Sequence, residues 1–193
     1  DTGVARGPVP ARGSRVTEPV GARRARALLE RAIGLADEPA DDDDLRLRKR
    51  VLVIASYILI VGALQLPALA QGLPLSWFVA ATMPLVTVIN LIVLARTRRF
   101  ERYVKVLILT VFAFSAVIEV SLGGLAGSSA AVVFAFLGPV FALLGLGPRH
   151  ATAWFVAFMA VVIGVILIDP IVSSRIAPQP YPLRLVWYAA NLG

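Results

Sequence analysis

Apolar residues along this chain come in long, nearly uncharged runs rather than alternating with polar ones. They cover Val51 to Ala70, Trp77 to Ala95, Tyr103 to Leu122, Ser129 to Leu146 and Ala151 to Ile168. A helical run of about 18 residues rises about 27 Å, most of the roughly 30 Å hydrocarbon core of a bilayer. The pattern predicts an all-α fold, a polytopic membrane helical bundle with spans at about 51–70, 77–95, 103–122, 129–146 and 151–168. A sixth run opens at Leu183 and is cut at Gly193, so the chain reads as a fragment at that end, and at Asp1 as well. Only Gly147-Pro148-Arg149-His150 separates the fourth and fifth runs, which predicts a tight helical hairpin.

Within the hairpin, small residues recur at helical spacing. Ala131, Ala135, Gly138, Ala142 and Gly145 form one seam, and Ala153, Ala157, Ala160 and Gly164 form the other. Small side chains let helix backbones approach closely in lipid, where no hydrophobic force drives association. The two seams are expected to face each other, or one of them to face a second subunit. Pro84 and Pro139 fall inside spans and are expected to kink them, because each removes a backbone donor and crowds the preceding turn. Asn90, inside the second span, is expected to make an interhelical hydrogen bond.

Ahead of the first span, residues 1–44 read as a cytoplasmic tail and residues 45–193 as the transmembrane domain. The first 20 or so residues scatter glycine, proline and arginine with too little apolar surface to offset ordering entropy, so disorder is expected there. From Gly21 to Leu35, Ala25, Leu28, Leu29, Ala32 and Ile33 share one helical face, with Arg23, Arg24, Arg26 and Arg31 mostly on the other. Such a helix suits an anionic membrane surface, a cytoplasmic partner or plain solvent. Asp41 to Asp44 then precede Arg46, Arg48, Lys49 and Arg50, and read as a solvated helix cap followed by a basic belt at the lipid boundary rather than as a metal site.

Composition agrees with this class. Hydrophobic residues make up 58% and charged residues 16%, and the mean hydropathy is +0.80. The net charge of +7 sits at span edges rather than on a base-reading helix, which argues against nucleic acid as a partner and for the lipid bilayer. Basic residues crowd the tail before the first span, the connection Arg96 to Arg102 and the turn at Arg149, whereas the connections 71–76 and 123–128 carry no charge. By the positive-inside rule the N-terminus is cytoplasmic and the protein is multi-pass in the plasma (inner) membrane.

Candidate chemistry is sparse. There is no cysteine, so disulfides and thiolate ligands are excluded. His150, the single histidine, sits at a helix boundary, as a plain boundary residue or a proton sensor. No catalytic, cofactor-binding or metal-binding set can be assigned. Glu119, near the end of the third span, and Asp169, after the fifth, are the only acids beyond Glu101. A carboxylate at the hydrocarbon edge needs a donor, a cation or water. Two readings stand: ion pairs with Arg175, in a loop running from Asp169 to Pro182, and with Arg184 just after it, or convergence on an extracytoplasmic cation or cationic ligand.

The order of Arg48-Lys49-Arg50, Gly123-Gly124, Ser128-Ser129, an alanine-rich span with Pro139, a basic turn at Arg149, Ala153-Trp154-Phe155 and Asn191-Leu192-Gly193 resembles the six-span membrane domain of bacterial, especially actinobacterial, receptor-type class III adenylate or guanylate cyclases. The resemblance covers roughly residues 45–193, and Phe134 stands where that family often has tryptophan. It implies a homodimeric membrane anchor and regulatory input. ATP, or GTP, and Mg or Mn would be engaged only by a catalytic domain absent from this stretch. The input domain of a histidine kinase or diguanylate cyclase, or part of a small transporter, are the alternatives that the residues themselves leave open.

Overall fold

The computed structural model describes residues 20–69, 74–125 and 131–175, and every regular element among them is a helix. The chain divides into two compact units, Asp1–Ala32 and Ile33–Gly193. Helix α1, Val20–Ile33, supplies the described part of the first. The second contains a 3-10 turn at Gly34–Ala36, α2 (Asp43–Leu69), α3 (Pro74–Thr97), α4 (Phe100–Ser121), a 3-10 segment at Ala131–Phe136, α5 (Leu137–Leu146) and α6 (Pro148–Arg175). Disorder in the first 19 residues and the sixth span from Leu183 lie outside the described residues.

Local chemistry accounts for where these helices start. At α2, Asp42 Oδ1 accepts the Leu45 N–H at 2.7 Å, while Asp43 and Asp44 occupy the first turn, against the positive end of the helix dipole. Helices α3 and α6 each open on a proline, whose missing N–H is no loss at the first helical position. Sequential antiparallel neighbours α2, α3 and α4 pack on one another, and α4 also contacts α5, α6 and the 3-10 segment.

Helix α4 is the centre of the bundle. Its buried residues Tyr103, Val104, Leu107, Ile108, Val111, Phe112, Ser115 and Glu119 follow three-and-four spacing along one stripe. The stripe begins in a polar knot: the Tyr103 hydroxyl donates to the Leu52 carbonyl at 2.9 Å and lies 2.7 Å from Ser56 Oγ. Asn90 Nδ2 donates to the Tyr103 carbonyl at 3.0 Å, so the interhelical bond expected of Asn90 is present. Three helices are thereby tied at one buried tyrosine.

Among the described residues two helices, Phe100–Ser121 and Pro148–Arg175, are long and apolar enough to cross a membrane. They differ in burial: the most apolar stretch of α4 is 56% buried, that of α6 only 6%. Helix α6 turns Trp154, Ala157, Phe158 and Val161 toward the core. Phe155, Val156, Ile163, Ile166 and Leu167 are left uncovered.

Several boundaries differ from the sequence reading. The loop expected from Asp169 is helical through Pro170 to Arg175. Proline removes one donor there, but Ser173 and Ser174 hydroxyls donate to the Pro170 and Ile171 carbonyls and serve that last turn. The fourth run is not one α-helix, because Ala131–Phe136 is 3-10 and the α-helix starts at Leu137. Pro139 therefore lies in the first turn of α5, where its lost N–H is harmless, and the change of helix type precedes it. Pro84 sits inside α3, which runs unbroken from Pro74 to Thr97.

Candidate functional site

The two acids picked out by the sequence lie where the inward stripes of α4 and α6 end. Glu119 follows Phe112 and Ser115 along the buried face of α4 and is 1% exposed. Asp169 follows Val161 and Val165 at steps of four and is half-buried. Between them the chain turns sharply: the Gly124 N–H bonds the Glu119 carbonyl at 3.0 Å and the Gly123 N–H bonds the Val120 carbonyl at 3.3 Å. These paired bonds close the α4 C-terminus in a Schellman motif, which needs the left-handed backbone that Gly123 (φ 89°) supplies.

Both carboxylates grip the backbone that leaves this turn. Asp169 Oδ1 accepts the Leu125 N–H at 2.7 Å, and Glu119 Oε2 accepts the Val132 N–H at 2.8 Å. Val132 is the second residue of the 3-10 segment, so its N–H is one of the donors a helix start leaves open, and Glu119 caps it from a different helix. The fit at Asp169 is close: a Cβ at Gly124 (φ 86°) would lie 2.1 Å from Asp169 Oδ1. The arrangement anchors α4 and α6 to the strand of chain between them.

The ion pair expected between these acids and Arg175 is not seen. Among the described residues no ion pair joins Arg175 to either one, and Arg175 is exposed; Arg184 lies outside the described residues. Backbone N–H groups at the turn are nearer donors than a side chain six residues further along α6. Among the described residues, no group of three or more acids or histidines is placed to hold a metal ion.

The small-residue seams take different places. In the first, Ala135 and Ala142 are buried. A Cβ at Gly138 would lie 2.3 Å from the Phe112 ring, and one at Gly145 would lie 2.6 Å from Val104 Cγ2. Ala131 opens the 3-10 segment that leads into this contact. This seam fits against α4 rather than against the second seam, because α4 brings the large residues that small ones admit. In the second seam, Ala153 and Ala160 are exposed and Ala157 half-buried, and a Cβ at Gly164 meets nothing within 4 Å. The two seams do not face each other. Helix α6 meets its neighbours through aromatic edges instead, Trp154 on Phe112 at 5.8 Å and Phe158 on Phe136 at 5.6 Å.

At the opposite end of the bundle the structure holds a cluster that the sequence did not announce. Asp41 is not a solvated cap. Its side chain is 5% exposed, with both oxygens 2.8 Å from Lys49 Nζ, and Asp41 Oδ2 also accepts the Glu38 N–H at 2.8 Å. Lys49 is itself buried and lies 5.5 Å from the centre of the Phe100 ring. Arg50 pairs with Asp37 at 2.7 Å. Arg98, in the left-handed region at φ 55°, donates to the Leu35 carbonyl at 2.7 Å and the Asp37 carbonyl at 3.3 Å. Residues 33–42 thus form a strap clamped across the start of α2 and the α3–α4 turn, within the compact second unit, which begins at Ile33. Lys49 beside the Asp41 carboxylate holds that carboxyl below its ordinary range. His150 stays at the boundary, exposed, with Nδ1 3.0 Å from the Leu146 carbonyl.

Comparison with known protein families, with curated proteins and with solved structures gave no match.

Proposed function

We propose that this chain is a multi-pass inner-membrane domain with a cytoplasmic N-terminus, serving as the membrane anchor and regulatory input of a class III nucleotide cyclase. The observation that carries the membrane part is the outer surface of α6, whose apolar stretch is 6% buried and whose Val156, Ile163 and Leu167 are more than half exposed. Contiguous apolar surface of that size is disfavoured in water and needs lipid or protein to cover it. Similar uncovered residues, Ile58, Val61 and Leu64 on α2 and Leu85 and Ile89 on α3, give those helices lipid-facing sides. Five helices then cross the bilayer, the run from Leu183 supplies a sixth, and the basic end bearing the strap faces the cytoplasm.

The cyclase part is supported by the resemblance and by the work its residues do. Gly123 and Gly124 form the turn that closes α4, Arg149 follows the hairpin turn, and Trp154 packs edge-on against Phe112. On this reading the catalytic part lies outside residues 1–193, pairs as a homodimer, and makes cAMP from ATP with Mg or Mn. The test is to read the coding sequence beyond Gly193 and assay membranes of a cyclase-deficient bacterial host expressing the whole product. A class III catalytic domain and cAMP accumulation are expected. A kinase or diguanylate cyclase domain, or a further set of spans, would overturn the cyclase reading.

A further inference from the structure

Among the described residues, helix α1 carries an uncovered apolar face. Leu28 is 67% exposed and Leu29 60%, and Arg24, Arg26 and Arg31 are exposed as well. Of the arginines, Arg26 is paired with Glu30, the helix's one acid, at 3.1 Å. At 14 residues the helix is about as short as a peptide that is marginal alone in water, so an uncovered apolar stripe is the part that a docking surface would stabilise. The cationic excess selects the sign of that surface: it must be negative. Chain connectivity selects its place, because α1 runs directly into the strap at Ile33, and the strap is clamped by Lys49, Arg50 and Arg98 at the basic end of the bundle.

We infer that α1 lies in the headgroup layer of an anionic phospholipid surface, with Leu28 and Leu29 turned into the lipid and the arginines along phosphate. The inference rests on the membrane reading above. A short helix with a narrow apolar face and several arginines gains from lipid mainly through charge, and tethering to the same surface removes the cost of finding it.

The chain lacks cysteine, so single cysteines can be placed and spin-labelled in the full chain reconstituted in nanodiscs. Labels at Leu29→Cys, Ala27→Cys and Leu167→Cys report collision with oxygen, enriched in lipid, and with a water-soluble nickel chelate. In discs containing phosphatidylglycerol, residue 29 is expected to favour oxygen and residue 27, on the opposite face, the chelate. In pure phosphatidylcholine the preference at 29 should largely vanish. Replacing Arg24 and Arg31 with glutamine should cut the immersed-to-free ratio about 25-fold, from about fivefold per arginine near an anionic surface. Residue 167 should favour oxygen in both discs; if it does not, the membrane reading fails and this inference with it. With 167 in lipid, a chelate-accessible residue 29 overturns the inference alone. So does a residue 29 shielded from both probes, which would place α1 against protein, and so does an immersion indifferent to lipid charge.

Discussion

At Gly124 a single added carbon has two effects that point the same way. The backbone is left-handed there, and the new Cβ would meet Asp169 Oδ1 at 2.1 Å. Gly124→Ala is expected to cost about 1–2 kcal/mol for the backbone and about 1 kcal/mol for a weakened Leu125–Asp169 bond, read as a lower melting temperature of the purified chain in detergent. Gly138→Ala should destabilise too, since its Cβ would press on the Phe112 ring at 2.3 Å, whereas Gly164→Ala should not lower the melting temperature, its Cβ having nothing within 4 Å. Equal effects at Gly138 and Gly164 would contradict the placement of the seams. Asp41 yields a pH prediction. Its carboxyl is held low in the folded chain, so its contribution is complete above the ordinary carboxylate range and is lost as pH falls through the lowered value. Hydrogen-exchange protection of residues 34–42 should therefore be flat from about pH 8 to about pH 5 and fall only below about pH 4. Lys49→Met should abolish that protection at neutral pH, because a buried carboxylate stripped of its cation costs about 3 kcal/mol, more than a short strap retains. Protection that survives in Lys49→Met would show that the ion pair does not hold the strap.

For the helices, apolar run length was enough to find every described one beyond α1, and three-and-four spacing found α1 itself. Their ends were less legible, for reasons that can be named. Pro170 reads as a stop, yet α6 passes through it: the proline removes one backbone donor, and serine hydroxyls add bonds to carbonyls of the last turn. Ser129 to Leu146 reads as one helix because composition does not separate 3-10 from α geometry. The strap was illegible because four consecutive aspartates look alike, and what distinguishes Asp41 is a lysine eight residues on and a ring at Phe100. The burial of Glu119 was legible, since it lies four residues after Ser115 on the stripe that starts at Tyr103; its partner, the Val132 N–H, was not. That partner gives a graded test of how the 3-10 segment is held. Glu119→Gln keeps an acceptor oxygen and should cost about 1 kcal/mol, while Glu119→Leu strands a buried N–H and should cost about 1–3 kcal/mol more. Thermal melts that rank the two variants in the opposite order would remove Glu119 from its capping role.

For the whole molecule, the two ends of the second unit differ in kind. One end is basic and gathers the strap, the α3–α4 turn and the α5–α6 turn, while the other is closed by glycines and two carboxylates. The proposed function requires that a bundle with a basic rim at one end and uncovered apolar flanks cross the membrane with that rim in the cytoplasm. The most direct measurement is a set of reporter fusions in a bacterial host, each pairing an enzyme active only in the cytoplasm with one active only outside it. Fusions after Arg99 and Arg149 are predicted to score cytoplasmic, and fusions after Gly72 and Ser128 extracytoplasmic. The opposite pattern at both pairs would invert the domain, and cytoplasmic signals at all four positions would contradict its crossing the membrane at all.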